Sequence, residues 1–131
     1  MLGIGVLKPP SDGAEVLKYG NFWTWTIEYF NRRVKQQIET WPVGAYADFL
    51  RLVGLMEAHG ADLRMPHSRS MGQGLFELRC RGADGIGRAF YWTVTGHRIV
   101  ILHGFIKKTQ RTPRRELSTA RQRQREVRNA S

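Results

Sequence analysis

Hydrophobic and polar residues follow two different periods along this chain, and these periods divide it into predicted strands and helices. Residues 23–29 (WTWTIEY) alternate between apolar and polar side chains. A period of two is typical of a half-buried strand, here with Trp25, Ile27 and Tyr29 on the inner face. Between residues 31 and 60 the apolar positions recur every three or four residues, which is the period of a helix that buries one face.

Two helices are predicted in that stretch. Asn31 has the side chain of a helix N-cap, and Pro42 ends the helix that starts there. The apolar positions of this first helix are Val34, Ile38 and Trp41. Gly60 supplies the C-terminal stop of the second helix. Its apolar stripe, which we expect to face the core, consists of Tyr46, Phe49, Leu50, Val53 and Met56.

The second half of the chain returns to the period of a strand. Residues 66–74 (PHSRSMGQG) have the composition of a loop, and residues 75–81 then alternate. Residues 84–85 (Asp-Gly) are a hairpin signal, after which residues 88–94 form the returning strand. The apolar run of residues 98–106 predicts a central strand with both faces covered.

A closing helix is predicted for residues 113–128, because Thr112 can cap it and Pro113 suits its first position. Its few apolar residues predict weak packing along one edge. The element order β-α-α-β-β-β-α gives an α+β domain: a small, largely antiparallel sheet with two helices on one face and a C-terminal basic helix. The other face of the sheet is expected to be partly open. Residues 1–21 are interpreted as a flexible N-terminal arm and residues 22–131 as a single domain.

Charge distinguishes this chain from an ordinary globular domain of its size. It has 21 Lys and Arg against 11 Asp and Glu in 131 residues, which gives a net charge of +10. Much of the excess lies in residues 106–131. Such a surplus favours a polyanionic partner, either nucleic acid or an acidic protein. A solubilising tail is the alternative.

The same composition excludes several classes of protein. Cys80 is the only cysteine, so an internal disulfide is impossible, which suits a reducing cytoplasm. The four histidines form no zinc-ligand pattern, and we expect neither a metal nor a cofactor. No apolar run approaches the length of a membrane span, and the N-terminus does not read as a signal peptide. We therefore expect a cytoplasmic protein without a membrane partner.

Three segments of the chain occur in an order and spacing that resemble a known family. They are GLFELR at residues 74–79, RAFY at residues 88–91 and HGFIKKTQRTP at residues 103–113. From about residue 25 to residue 125 the chain resembles the RelE/HigB-type toxins of bacterial toxin–antitoxin systems, specifically the phage-derived HigB-like branch of the RelE/ParE superfamily. The resemblance implies a RelE-like fold and a metal-independent, ribosome-dependent endoribonuclease. Such an enzyme cleaves mRNA in the decoding site, beside the 16S rRNA, and is silenced by a cognate antitoxin.

The resemblance also implies a catalytic face built on neighbouring strands. Carried over residue by residue, it consists of Glu77, Arg79, Arg88, Tyr91, Lys107 and Lys108. This sequence departs from the well-studied relatives in two ways. Glu77 stands where they have a lysine, and no tyrosine follows Tyr91 to match the one in their terminal helix.

Cleavage of RNA by its own 2′-hydroxyl needs a proton acceptor, donors for the charged phosphorane and a proton for the leaving oxygen. We assign Arg79 and Arg88 to the scissile phosphate, since arginine donates a planar fork to phosphate oxygens. Lys107 and Lys108 would stabilise charge and could supply the base, because a desolvated lysine beside other cations has a lowered pKa. Glu77 would either take part in catalysis or pair with a neighbouring arginine.

The other basic residues of the second half are assigned to the binding of flanking RNA. They are Arg81, Arg111, Arg114, Arg115 and Arg121. His103 would act as an acid or base only if its side chain reached the open face of the sheet. The alternative is a hydrogen-bonded histidine in the core.

Three other functions stay open on the sequence alone. The first is a ParE-like toxin that poisons gyrase and cuts no RNA. The second is a basic module that binds nucleic acid or the ribosome without catalysis, and the third is an inert prophage remnant. Lys107 and Lys108 would then mark only the emergence of a strand into water. As partner of a toxin we expect an acidic antitoxin, because a complementary chain would mask the positive surface.

Overall fold

The computed structural model describes residues 25–61, 63, 66–108 and 111–130. The arm predicted for residues 1–21 lies outside these ranges, and so does its boundary with the predicted domain. The described residues form five strands and three helices, in the order β-α-α-β-β-β-β-α. The strands are β1 (Thr26–Tyr29), β2 (Ser68–Gly72), β3 (Leu75–Gly82), β4 (Gly85–Val94) and β5 (Arg98–Ile106). The helices are α1 (Arg32–Glu39), α2 (Val43–His59) and α3 (Arg114–Ala130).

All five strands of the described chain belong to one sheet, in the order β1-β5-β4-β3-β2. β1 runs parallel to β5, and the other neighbouring pairs are antiparallel. The predicted α+β class with a largely antiparallel sheet is therefore confirmed. β5 lies inside the sheet, and its residues 99–105 are all buried. This burial confirms the prediction of a strand that is covered on both faces.

α1 and α2 pack on one face of the sheet, as predicted. Asn31 caps α1, because its Oδ1 accepts a hydrogen bond from the Val34 N–H at 2.9 Å. The predicted stripe of α2 is wrong at Leu50, which is 46% exposed. Position 50 lies about 100° around the helix from Phe49, outside the buried line. The buried residues of α2 are Ala45, Phe49, Leu52, Val53 and Met56.

β1 is buried more completely than its alternation predicts. All four residues of Thr26–Tyr29 are buried. Ile27 and Tyr29 enter the core beneath α1 and α2, as expected. Glu28 is buried as well, because the Arg98 guanidinium of the neighbouring strand binds its carboxylate through two hydrogen bonds. The strand is therefore covered on both sides and is not half-buried.

The loop predicted for residues 66–74 is wrong over Ser68–Gly72, which forms the edge strand β2. This segment carries no apolar alternation, because backbone pairing with β3 holds it and most of its side chains are exposed. A turn at Gln73 and Gly74, both with positive φ, joins the two strands. β2 matters for the site because its pairing with β3 places Arg69 directly opposite Glu77.

α3 covers the face of the sheet that is turned away from α1 and α2. It packs across β5 and β4 and buries Ala120, Gln124 and Val127. The predicted weak packing along one edge is therefore wrong, because a second apolar cluster on the sheet receives the helix. The sheet residues of that cluster are Leu75, Phe90, Val100, Leu102 and Phe105. We call this side of the sheet the α3 face and the opposite side the α1–α2 face.

Candidate active site

Cations from three strands, and from the residue that follows a fourth, gather on the α3 face around one carboxylate. Strand pairing places Arg79 of β3 opposite Arg88 of β4. Lys107 follows the end of β5, where its N–H donates to the carbonyl of Ile86 in β4 at 2.8 Å. The carboxylate belongs to Glu77, two residues before Arg79 on the same face of β3. We call the surrounding cations the cationic cluster, which consists of Arg69, Arg79, Arg81, Arg88 and Lys107.

Glu77 is held by two donors in the interior of the protein. Its side chain is 0% exposed, and its Oε1 accepts a hydrogen bond from Nη1 of Arg88 at 2.6 Å. Its Oε2 accepts a second hydrogen bond, at 2.8 Å, from the hydroxyl of Thr112. The pairing of Glu77 with a neighbouring arginine, one of the two alternatives that the sequence leaves open, is thus confirmed. Each oxygen of this buried carboxylate thus has a hydrogen-bond donor, as a buried polar group requires.

Arg88 lies beneath the surface. Only 4% of its side chain is exposed, and among the described residues its buried Nε has no hydrogen-bond acceptor. A ligand at the surface can therefore experience the charge of Arg88 more readily than it can touch the guanidinium. Arg79 and Lys107 are half-buried, so a ligand can reach both of these cations directly.

The pKa values of two members of the cluster are lowered, first by partial desolvation and then by the excess of positive charge around them. The pKa of Lys107 is lowered by partial desolvation and then by Arg88 and Arg79, while Glu77 opposes the effect. The pKa of Arg79 is likewise lowered, first by desolvation and then by Arg88. A lowered pKa makes the uncharged amine of Lys107 more available as a proton acceptor. Arg79 stays protonated and serves as a hydrogen-bond donor.

Tyr91 does not share this face. Its ring stacks on Phe76 in the core beneath α1 and α2. Its hydroxyl is 2.7 Å from Oγ of Ser68 and donates to the carbonyl of Ala61 at 2.8 Å. The expectation that Tyr91 joins Arg88 is therefore wrong. The two residues are three positions apart in β4, so the pleat turns their side chains to opposite faces, and parity alone already indicates this.

Only one lysine of the predicted pair belongs to the cluster. Lys108 is exposed, whereas Lys107 is half-buried and interacts electrostatically with Arg79 and Arg88. Lys107 is directed to the cluster because its backbone still pairs with β4. The expectation that both lysines serve the site is thus supported for Lys107 alone.

His103 lies beneath α3 and outside the cationic cluster. The pairing of β4 with β5 shifts after Phe90, so that Leu102 is the extra residue of a bulge, and both Leu102 and His103 face α3. Nε2 of His103 is 2.6 Å from Oε1 of Glu116, and Nδ1 is 3.4 Å from a guanidinium nitrogen of Arg123. The alternative of a hydrogen-bonded core histidine is confirmed.

The arginines predicted to bind RNA fall into two groups. Arg81 is an exposed member of the cationic cluster, and Arg111, Arg114 and Arg115 are exposed within a few residues of Thr112 in the chain. Arg121 instead donates hydrogen bonds to the carbonyl oxygens of Gly72, at 2.9 Å, and of Met71. Its donors thus hold α3 against the turn between β2 and β3.

Sequence reasoning missed two residues of the site. Arg69 lies in the segment that was predicted as a loop. The glycines on either side of Gln73 are a hairpin signal, from which the pairing of this segment with β3 could have been predicted. Thr112 was interpreted only as a helix cap. Its contact with Glu77 joins residues 35 positions apart in the chain, so no local pattern could have indicated it.

Two further features of the described chain bear on other classes of function. No group of three or more His, Cys, Asp or Glu side chains within it could hold a metal ion. None of its helices combines the length and apolar character that crossing a bilayer requires. The described chain also has a cavity of about 320 Å³, whose lining contains none of the predicted site residues. The lining residues are Trp25, His59, Gly60, Ala61, Phe76 and Thr93.

Comparison with known proteins identifies a family that this chain matches. The family model described as phage derived protein Gp49-like (DUF891) matches residues 36–125. This range is more than half of the chain and contains all of the cationic cluster, Glu77 and Thr112. A search among curated proteins found no significant match.

Proposed function

Because the chain belongs to the phage-derived Gp49-like family, which is associated with toxin–antitoxin systems and related to RelE-type toxins, we propose that it is the toxin of such a module. We further propose that it acts as a ribosome-dependent endoribonuclease, which cleaves mRNA and thereby inhibits translation. The residues proposed for the chemistry are Arg79, Arg88 and Lys107, with Glu77 beneath them.

The observation that carries this proposal is the juxtaposition of Arg79 and Lys107 above the buried Glu77–Arg88 pair. Two reachable cations of different chemistry lie beside a third that is fixed in the interior. Arg79 can donate two parallel hydrogen bonds to the oxygens of a phosphate. Rigid donors in a partly desolvated site stabilise a charged transition state more strongly than mobile donors in water do.

The reaction that fits this arrangement is cleavage by the 2′-hydroxyl of the substrate itself. The 2′-oxygen forms a bond to phosphorus, the bond from phosphorus to the 5′-oxygen breaks, and a 2′,3′-cyclic phosphate results. Lys107, in its uncharged form, is the candidate acceptor of the 2′-hydroxyl proton, and the departing 5′-oxygen takes up a proton from solvent. Arg79 and the charge of Arg88 stabilise the phosphorane.

The surface around the cluster suits a long polyanion. Arg69 and Arg81 flank Arg79 on the sheet, and Arg114 and Arg115 are exposed at the start of α3. We propose that mRNA and the 16S rRNA around the decoding site bind along this surface. Since the chain carries a net charge of +10, we also expect the antitoxin to be acidic.

Inducible expression in a bacterial host, with mapping of the 5′ ends of cellular mRNA, tests the proposal. The intact chain should arrest growth and produce cuts in phase with codons that disappear when translation is blocked. Arg79→Ala and Lys107→Ala should each reduce cleavage about 10²–10³-fold, as expected for loss of a group that stabilises the transition state. Arg88→Ala is unsuitable as a first test, because it also breaks a buried ion pair.

Arg32→Ala is the matched control. Arg32 is an exposed arginine of α1 and is not among the groups that lower the pKa of Lys107 or Arg79, so its loss removes the same charge away from the cluster. Full toxicity of the folded Arg79 and Lys107 variants would contradict the assignment. Broken DNA with intact mRNA would favour a gyrase poison. Binding that weakens with salt, without dependence on any single residue, would favour a non-catalytic module.

A further inference from the structure

The segment between β5 and α3 is attached to the cationic cluster at two points. The first is the backbone of Lys107, which donates to the carbonyl of Ile86 at 2.8 Å. The second is the hydroxyl of Thr112, which donates to Oε2 of Glu77 at 2.8 Å. Since Glu77 is fully buried and also binds Arg88, the second attachment reaches the interior of the site.

We propose that Thr112 and Glu77 are positioning residues, which fix the segment after β5 so that the ammonium group of Lys107 is held beside Arg79 and Arg88. Their importance for RNA cleavage depends on the function proposed above, whereas the geometric claim does not. Neither residue needs to touch the substrate. Glu77 acts on Arg88 and Lys107, and Thr112 acts through Glu77.

The chemistry of the contact favours a positioning role over a simple helix cap. A capping hydroxyl accepts a hydrogen bond from a backbone N–H of the first helical turn. The hydroxyl of Thr112 instead gives its single proton to a buried carboxylate. Without this donor one oxygen of Glu77 would be buried without a partner, which is a costly state. The hydrogen bond to Glu77 thus holds Thr112 against the sheet.

The charges that face Lys107 make its position measurable. Glu77, Arg79 and Arg81 face it from β3, and Arg88 faces it from β4. Partial desolvation and then the three arginines lower its pKa, and Glu77 raises it. If the segment moves away, the repulsion falls and the pKa of Lys107 should rise toward its ordinary value. If Glu77 loses its charge while the segment stays in place, the pKa should fall further.

An NMR titration of the lysine Cε signals of the full chain tests these two directions. The chain has five lysines, and the spectrum of Lys107→Arg assigns the signal of interest. Thr112→Val should raise the pKa of Lys107, Thr112→Ser should leave it as in the parent chain, and Glu77→Gln should lower it. Thr40→Val is the matched control, since it also removes a threonine hydroxyl bond, to the carbonyl of Gln37, on the α1–α2 face.

An unchanged pKa of Lys107 in a folded Thr112→Val chain would overturn the proposal. So would an equal change in Thr112→Ser, because serine keeps the hydroxyl. Thr112→Ala is the second variant for the case that valine prevents folding, and the same rise is expected. If Glu77→Gln does not fold, the threonine series alone decides, since it leaves the charge pair intact.

Cleavage assays on the same variants separate this inference from the proposed function. Misplacement of a catalytic group by about 1 Å costs up to about 10²-fold in rate, so Thr112→Val should lose about 10- to 100-fold and Thr112→Ser should recover most of it. If Thr112→Val shifts the pKa of Lys107 but the parent chain does not cleave RNA, the positioning role stands and the proposed nuclease activity is wrong. If the pKa of Lys107 shifts in Thr112→Val but cleavage stays normal, Lys107 does not take part in the reaction.

Discussion

Two buried glutamates of the α3 face, each paired with an arginine of a neighbouring strand, show how similar contacts serve different ends. Glu28 of β1 is 1% exposed, and Arg98 of β5 binds both of its oxygens, at 2.6 and 2.8 Å. Glu77 is 0% exposed, and its two oxygens are divided between Arg88 at 2.6 Å and Thr112 at 2.8 Å. The first pair lies at the start of β5 and the second near its end.

The surroundings of the two pairs differ in charge balance. The hydrogen bonds from Arg98 satisfy Glu28, and the hydrogen bond to Glu28 is the main reason that the pKa of Arg98 is raised. Around Glu77 one carboxylate faces several cations, and the pKa values of Arg79 and Lys107 are lowered. A buried ion pair by itself therefore does not distinguish the site. The surplus of cations around Glu77 is the feature that suits the binding of a polyanion.

The largest expected difference between the two pairs is in stability. Arg88→Ala leaves Glu77 buried without its charged partner, and such a change costs about 3–5 kcal/mol of the free energy of unfolding. Arg98→Ala should cost less, about 1–3 kcal/mol, because loss of this partly exposed side chain admits water to Glu28. Urea unfolding followed by circular dichroism measures both. A larger loss for Arg98→Ala would show that the exposure of the arginine does not separate the two pairs.

A smaller effect distinguishes an arginine that serves the fold from one that faces solvent. Arg121 donates to the carbonyls of Gly72 and Met71, so Arg121→Ala should lower the free energy of unfolding by about 1–2 kcal/mol. Arg125→Ala removes an exposed arginine one helical turn later, and it should change stability by less than about 0.5 kcal/mol. Equal values for the two variants in thermal unfolding would show that the hydrogen bonds of Arg121 do not stabilise the fold.

Much of this division could be predicted from sequence. The alternation of residues 75–81 correctly placed Glu77 and Arg79 on one face of β3. The apolar run before Lys107 correctly indicated an interior strand that ends at the site. In both cases the period of the strand and the burial of its apolar face follow from local sequence alone.

The remaining features depend on contacts that local sequence does not encode. β2 is held by backbone pairing and shows no apolar pattern, so Arg69 was lost in a predicted loop. The contact from Thr112 to Glu77 joins residues that are 35 positions apart in the sequence. The apolar residues of the α3 face, which receive the final helix, are distributed over three strands and become one surface only after the sheet has formed.

The smallest expected effect is a shift of the pH dependence of cleavage, and it tests whether surplus charge itself controls the site. Arg81 is exposed and contributes less than Arg88 or Arg79 to the lowered pKa of Lys107. Arg81→Ala should therefore raise that pKa slightly and leave the fold unchanged. A general base must be uncharged to accept a proton, so the rise of rate with pH should move to higher pH. Arg32→Ala removes the same charge from the exposed face of α1 and should not move the profile. Equal shifts in both variants would mean that net charge, and not the arrangement around Glu77, sets the protonation of Lys107.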